Sequence, residues 1–356
     1  MMKDTRSRAV DVARGIGILC IIVGHFDSFT IRRIVFTFHV PIFFLISGYY
    51  VGADRPRGVF FRRKLRTLIV PYGLTCCAII AGAALLDGIR GGGSAAGQAA
   101  LDWLRAALYG SGNNYRHHPF PIKGIGAIWF LWATFWGANG LRLLLDVNAR
   151  LRPLAVLGIL LVCCWSRWLC WLPLSIQAGG PALLYMYIGW LLRQARDPLR
   201  RMSAETKGFL TLGALILWIG FIVSFQSFSL VRCDTGRGAV DILGSLCGCW
   251  IVLLLARIID ARLGLAARAL AYLGRYSLLM LCAHIVELDI FPWYALKTLM
   301  LDHGSPYWLY QAALVLGKFA WIISATAILE RWPLSRRLFG YGPRRDTPPA
   351  KSVTVE

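Results

Sequence analysis

Ten apolar stretches follow one another along this chain, near 10–29, 34–52, 68–87, 126–146, 153–172, 175–192, 208–228, 239–259, 269–290 and 308–330. A helix of about 20 residues reaches across the roughly 30 Å hydrocarbon core of a bilayer, and in lipid a helix satisfies its backbone groups within its own segment. Ten such runs leave little chain for anything else. The expected fold class is therefore all-α, a polytopic membrane protein of about ten transmembrane helices. A mean hydropathy of +0.57 agrees, being far above what a soluble domain of 356 residues needs.

The charges sort by connection. With the first helix starting in the cytoplasm, 26 Lys and Arg fall on the cytoplasmic side and 10 on the other, which by the positive-inside rule places both termini inside. The setting expected is a cell inner (plasma) membrane. A formal charge of +21 raises nucleic acid as a partner, but the basic residues lie in short connections where topology signals belong, so none is expected. The first run carries Asp11 and Arg14 and no small-residue cleavage site, and is expected to be retained. Residues 1–342 read as one membrane domain, and 343–356, rich in proline and charge, as a disordered cytoplasmic tail. All the cysteines but Cys233 sit in or at the edge of apolar runs, without zinc spacing, and read as small buried hydrophobes; no metal site is expected.

The longest connection, 88–125, is expected on the outer side. It opens on Gly91-Gly92-Gly93-Ser94 and ends in the polar GSGNNYRHHPFPIKG, with an amphipathic ALDWLRAALY between them that suits the membrane surface. Its His117-His118 pair reads as solvated.

Chemistry points to the first run. His25 follows Arg14 by eleven residues, which on a helix returns it to within about 20° of the same face and about 16 Å further along. Ionisable groups inside a bilayer are costly and face a wet cavity or the bundle interior. A neutral-pH hydroxyl needs a base to take its proton, and imidazole is the side chain best matched to that task. His25 is the candidate general base. Asp27, two residues on, could orient it only if the helix breaks there.

These residues resemble the acyltransferase-3 family of integral membrane acyltransferases, in its fucose 4-O-acetylase-like branch. The resemblance rests on Asp11-Val-Ala-Arg14-Gly15 leading to Gly24-His25, on Phe38-His39-Val40-Pro41-Ile-Phe43-Phe44 with Ser47-Gly48-Tyr49, and on Arg62-Arg63-Lys64-Leu-Arg66 with Pro71-Tyr72. Trp129-Phe130-Leu131 and Leu273-Gly274-Arg275-Tyr-Ser277 followed by His284 complete it. It implies transfer of an acetyl group from acetyl-CoA to a hydroxyl of a cell-envelope or exported carbohydrate, with the histidine of R-x10-H essential and Arg14 its companion.

Around that pair stand further candidates. His39, Trp129, Ser277, His284 and Glu287 are expected to bind the acceptor, although each also has a packing or anchoring alternative. Ser277 and His284 share a helix face, and Glu287 lies one turn beyond His284. Arg62, Arg63, Lys64 and Arg66 suit the phosphates of coenzyme A, or serve only as a topology signal. Lys318, deep in the last run, needs a carboxylate, a ligand or a route to the interface. The rival reading is a transporter or flippase for a glycan or lipid-linked substrate, which internal inverted repeats would favour and none of which is visible; a scaffold would tolerate loss of His25.

Overall fold

A computed structural model describes residues 7–26, 28–115 and 120–341. Asp27, the His117-His118 pair and the tail from 342 onward lie outside the described residues, as do the expectations attached to them. Among the described residues the chain is helical, with no β-strand and two isolated bridges, Tyr115 to Ile122 and Ser229 to Asp234.

Each of the ten apolar runs is helical, but they are not ten equal crossings. Five helical segments are long and apolar enough to cross a membrane: Phe29–Tyr49, Arg57–Tyr109, Ala204–Val223, Ala239–Arg262 and Tyr307–Arg331. A sixth is the pair Gly264–Arg275 and Ser277–Ile290, bent by 69°. The other runs form shorter helices. They are α1 (Arg8–Gly24), α6 (Trp129–Leu144), α7 (Arg152–Ser166) and α8 (Gly179–Gln194), numbered with α2 (Phe29–Val35), α3 (His39–Tyr49), α4 (Arg57–Lys64) and α5 (Val70–Tyr109) between them. At about 1.5 Å per residue α1 and α6 cover only about 24–26 Å, so their ends stop within the bundle. That shortness creates room for a site.

After α8 come the short α9 (Arg196–Arg201), then α10 (Ala204–Val223), α11 (Ala239–Arg262), α12 (Gly264–Arg275) and α13 (Ser277–Ile290). The short α14 (Trp293–Asp302), α15 (Tyr307–Arg331) and α16 (Pro333–Leu338) finish the described chain. Helix α10 is apolar on all sides and almost wholly exposed, with Phe209 76% and Ile216 61% accessible. Such a surface belongs against lipid.

Two helix pairs are held by glycine. On α1 and α12 a Cβ at Gly15 would overlap the Leu270 carbonyl, and one at Gly274 would overlap the Asp11 carbonyl. The same reciprocal arrangement joins α3 to α8 through Gly48 against Met186 and Gly189 against Leu45. Lipid supplies no hydrophobic drive between helices, so close backbone approach at small residues is what locks them. The elements that later carry His25 and His39 are therefore the most tightly fixed in the fold.

The glycine run in 88–125 does not open a loop. Helix α5 continues through it for 40 residues and breaks only at Gly92, whose φ of 77° a side chain would resist. The chain then folds back: a Cβ at Gly88 would stand 3.2 Å from Ala96 Cβ, and the Tyr72 hydroxyl donates to the Ala107 carbonyl at 2.6 Å. The ALDWLRAALY segment is the returning arm of this hairpin. It delivers residues 110–115 and 120–128 back into the bundle, where Gly112, Asn113, Gly126 and Ala127 wall the site. Before α5, residues Leu65–Ile69 form a π-helical turn. Pro71 has no N–H to offer the Thr67 carbonyl, and a widened turn relieves the clash.

At the other end of α6, buried Arg142 donates to the Ala53 and Arg55 carbonyls and, at 2.8 Å, to Asp146, which also accepts from Arg57 at 2.6 Å. These two guanidinium groups hold the Asp146 carboxyl below its usual range. Arg167 caps α7 and pairs with Asp234 at 3.4 Å while donating to the Cys233 carbonyl. Arg33 on α2 donates to the Ile222 carbonyl at 2.9 Å, at the end of α10. Together these fix the connection 224–238 over the ends of α1 and α6.

Candidate active site

Where α1 stops, a cavity of about 380 Å³ opens. Its walls come from the end of α1 (Ile21, His25), the joint between α2 and α3 (Phe36, His39, Val40, Pro41), the start of α6 (Trp129, Phe130) and Leu281 and Leu288 of α13. Gly112, Asn113 and Gly126 close one side, and 228–232 of the connection between α10 and α11 another, ending at exposed Arg232. It is a mostly apolar chamber with two imidazoles facing in.

The two histidines are fixed by the same local device. The last carbonyls of a helix have no partner in the helix. Helix α1 ends at Gly24, so the Ile21 carbonyl is free to accept from His25 Nδ1 at 2.7 Å. Helix α2 ends at Val35, whose carbonyl accepts from His39 Nδ1, also at 2.7 Å. A carbonyl can only accept, so in both rings Nδ1 carries the hydrogen and Nε2 keeps its lone pair. Neither Nε2 has a hydrogen-bond partner among the described residues. Each ring therefore offers a basic nitrogen.

His25 alone has a second rank behind it. His284 Nε2 lies 3.3 Å from His25 Nδ1, with the rings edge to face at 5.0 Å between centroids. His284 Nδ1 donates to Glu287 at 3.0 Å, which leaves its Nε2 as an acceptor for the His25 N–H. The other Glu287 oxygen accepts from Lys318, and the Lys318 ammonium lies 4.9 Å from the centre of the Trp293 ring. His284 and Glu287 are fully buried and Lys318 nearly so. Through this line a buried carboxylate, itself balanced by the Lys318 ammonium, fixes the orientation and tautomer of both rings.

His25, His39 and Trp129 thus come together in one cavity. His284 and Glu287 stand behind His25 and do not line the cavity. Ser277 opens α13, about 10 Å along the helix from His284, and is likewise outside the lining. Arg14 lies eleven residues before His25 on α1 and close enough to Lys64 for their charges to interact. Arg62, Arg63 and Arg66 are exposed beside it in sequence. Phe61, next to the basic run, packs on Phe135 midway along α6 with 5.2 Å between ring centroids, and with Lys64 beside Arg14 the basic run and the cavity are about 16 Å apart along α1.

The spacing on α13 already allowed the bond between His284 and Glu287, and Lys318 was expected to need a carboxylate; what no spacing could give is that its partner is Glu287, 31 residues away. It also passed over Asn113 and Arg232. Asn113 had a signal, a polar Gly-Ser-Gly-Asn-Asn run placed just before an apolar helix. Among the described residues no group of three His, Cys, Asp or Glu is placed to hold a metal ion.

Residues 7–327 match a family model described as an acyltransferase domain, Acyl_transf_3. Comparison with curated proteins and with solved structures gives no match.

Proposed function

The chain belongs to the acyltransferase-3 family, and from that premise and the geometry of the cavity we propose that this membrane acyltransferase moves an acetyl group from acetyl-CoA to a hydroxyl of a cell-envelope or exported carbohydrate. The observation that carries the reading is the state of His25: Nδ1–H is committed to the Ile21 carbonyl and to His284, so Nε2 is left as a base at the wall of the cavity.

In the reaction, His25 Nε2 takes the proton of the acceptor hydroxyl as its oxygen attacks the thioester carbonyl. The new C–O bond forms, the C–S bond breaks, and the proton held by His25 passes to the departing thiolate. The imidazolium that exists in between is held in place by its Nδ1–H bonds to the Ile21 carbonyl and to His284, which Glu287 and Lys318 orient in turn. His39 offers a second nitrogen to the acceptor or to the thioester oxygen, and Trp129 and Phe130 supply the apolar faces against which a sugar or an acyl group packs.

Arg62, Arg63, Lys64 and Arg66, with Arg14, suit the phosphates of the donor from the cytoplasmic face, the side on which the charge count places both termini. The pantetheine arm would then extend about 16 Å between helices to reach the cavity. On this reading the acyl group crosses the bilayer while the nucleotide does not. The setting is a cell inner membrane, and the fucose 4-O-acetylase-like branch is the nearest functional parallel.

Sealed vesicles of known orientation test this. Labelled acetyl-CoA supplied on the cytoplasmic side should modify a carbohydrate acceptor confined to the opposite side. Transfer only when donor and acceptor share a compartment would overturn the transmembrane route, and no transfer that depends on His25 would overturn the assignment.

A further inference from the structure

Beside the cavity at His25 lies a second one of about 330 Å³. It is polar where the first is apolar. Trp103 of the returning arm of α5, Asn113, Asn114 and Lys123 of the segment 110–128, and Asp289 of α13 line it. Only Gly112, Asn113 and Gly126 separate the two, since these three residues line both. The partition has almost no side chain in it. A Cβ at Gly112 would stand 2.5 Å from the Trp129 ring, and one at Gly126, whose φ is 74°, would stand 3.1 Å from Asp289 Oδ2. The two cavities are thin-walled neighbours, and nothing larger than glycine fits at those two points.

Two buried polar atoms of residues that line this cavity have no partner among the described residues: Asp289 Oδ2, an acceptor, and Asn113 Nδ2, a donor. Buried polar groups are bonded as a rule, and one orphaned donor and one orphaned acceptor among the residues lining a single cavity call for a ligand that can both give and take hydrogen bonds. Hydroxyls do both. The charges in the cavity offset each other, one carboxylate against the Lys123 ammonium, which itself packs 3.7 Å from the centre of the Trp103 ring. That balance disfavours a charged ligand on either side and suits an uncharged polyhydroxylated one.

We infer that the second cavity is a binding subsite for an uncharged sugar unit next to the one acylated at His25, so that the acceptor is an oligosaccharide at least two units long. This rests on the acceptor being a carbohydrate. One unit places its reacting hydroxyl against His25, and the next crosses the glycine partition to bond Asp289 and Asn113.

The experiment uses the full chain in lipid nanodiscs with labelled acetyl-CoA and matched methyl glycosides of neutral hexoses and 6-deoxyhexoses as mono-, di- and trisaccharides. For the series that is acylated, kcat/KM should rise at least tenfold from mono- to disaccharide and little from di- to trisaccharide. Asp289→Asn, which preserves shape, and Lys123→Met, at an exposed position, should each shrink the step from mono- to disaccharide several-fold. General damage to the fold would lower all three lengths in proportion and leave the ratio unchanged. A wild-type rate independent of length, or a ratio that neither variant moves, overturns the subsite while leaving acyl transfer intact. Absence of His25-dependent transfer to any saccharide overturns the carbohydrate reading and the subsite with it.

Discussion

The two walls that carry the histidines use one tether and differ in what stands behind it. His25 and His39 each follow a helix end and each bond the carbonyl four residues back at 2.7 Å. Behind His25 run His284, Glu287 and Lys318; against His39 lies the edge of the Phe36 ring, 4.7 Å between centroids. A tether to a carbonyl fixes the tautomer in either case. Only His25 has its N–H bonded into a buried line of His284, Glu287 and Lys318 that fixes the ring for proton transfer, so on the proposed reading the base stands at that wall and a hydrogen-bonding group at the other.

The largest test of that difference is at the rings themselves. His25→Ala should lower acyl transfer by about 10²- to 10⁴-fold, the range of a general base, with the protein still recovered in the membrane. If His39→Ala produced the larger loss in kcat, the roles of the two walls would be reversed.

The line behind His25 gives the next effect, and here stability and rate can be separated. Glu287→Gln leaves the Lys318 ammonium buried without its partner, which costs about 3–5 kcal/mol of stability. Adding Lys318→Met removes the orphaned charge and should restore the thermal midpoint. The rate should not return with it: the double variant stays up to about 10²-fold slow in kcat, since His284 is left without its carboxylate and His25 without a fixed neighbour. Recovery of both together would reduce the line to packing.

The smallest effect belongs to the other wall. His39→Gln should raise the acceptor KM about threefold to tenfold, the worth of one neutral hydrogen bond, and leave kcat nearly intact. A kcat loss matching that of His25→Ala would show that both rings move the proton.

How much of this was legible beforehand differs between fold and site. The apolar runs and the sorting of Lys and Arg are properties of single segments, and each segment answers to the bilayer by itself, so the all-α polytopic class and the positions of all ten helical runs could be read directly. His25 stood out for the same reason, as an ionisable group where lipid disfavours one. The number of full crossings was not legible, because α1, α6, α7 and α8 are shortened by ends that only packing defines. The glycine run reads in the sequence as the start of a connection: Gly88 to Gly93 permit a helical hairpin as readily as a coil, and the bond from Tyr72 to Ala107, 35 residues apart, selects the hairpin.

Sequence by itself therefore determined what each segment must do in a membrane, the family to which its scattered motifs belong, and the one histidine most in need of a reason. Tertiary structure decided that α1 stops at His25, that Lys318 completes Glu287 from another helix, and that Gly112, Asn113 and Gly126 return to stand between two cavities. Hydropathy and charge act on each stretch locally, whereas a hydrogen bond between side chains 31 or 259 residues apart exists only after glycine contacts have set the helices in register, and no spacing along the chain encodes it.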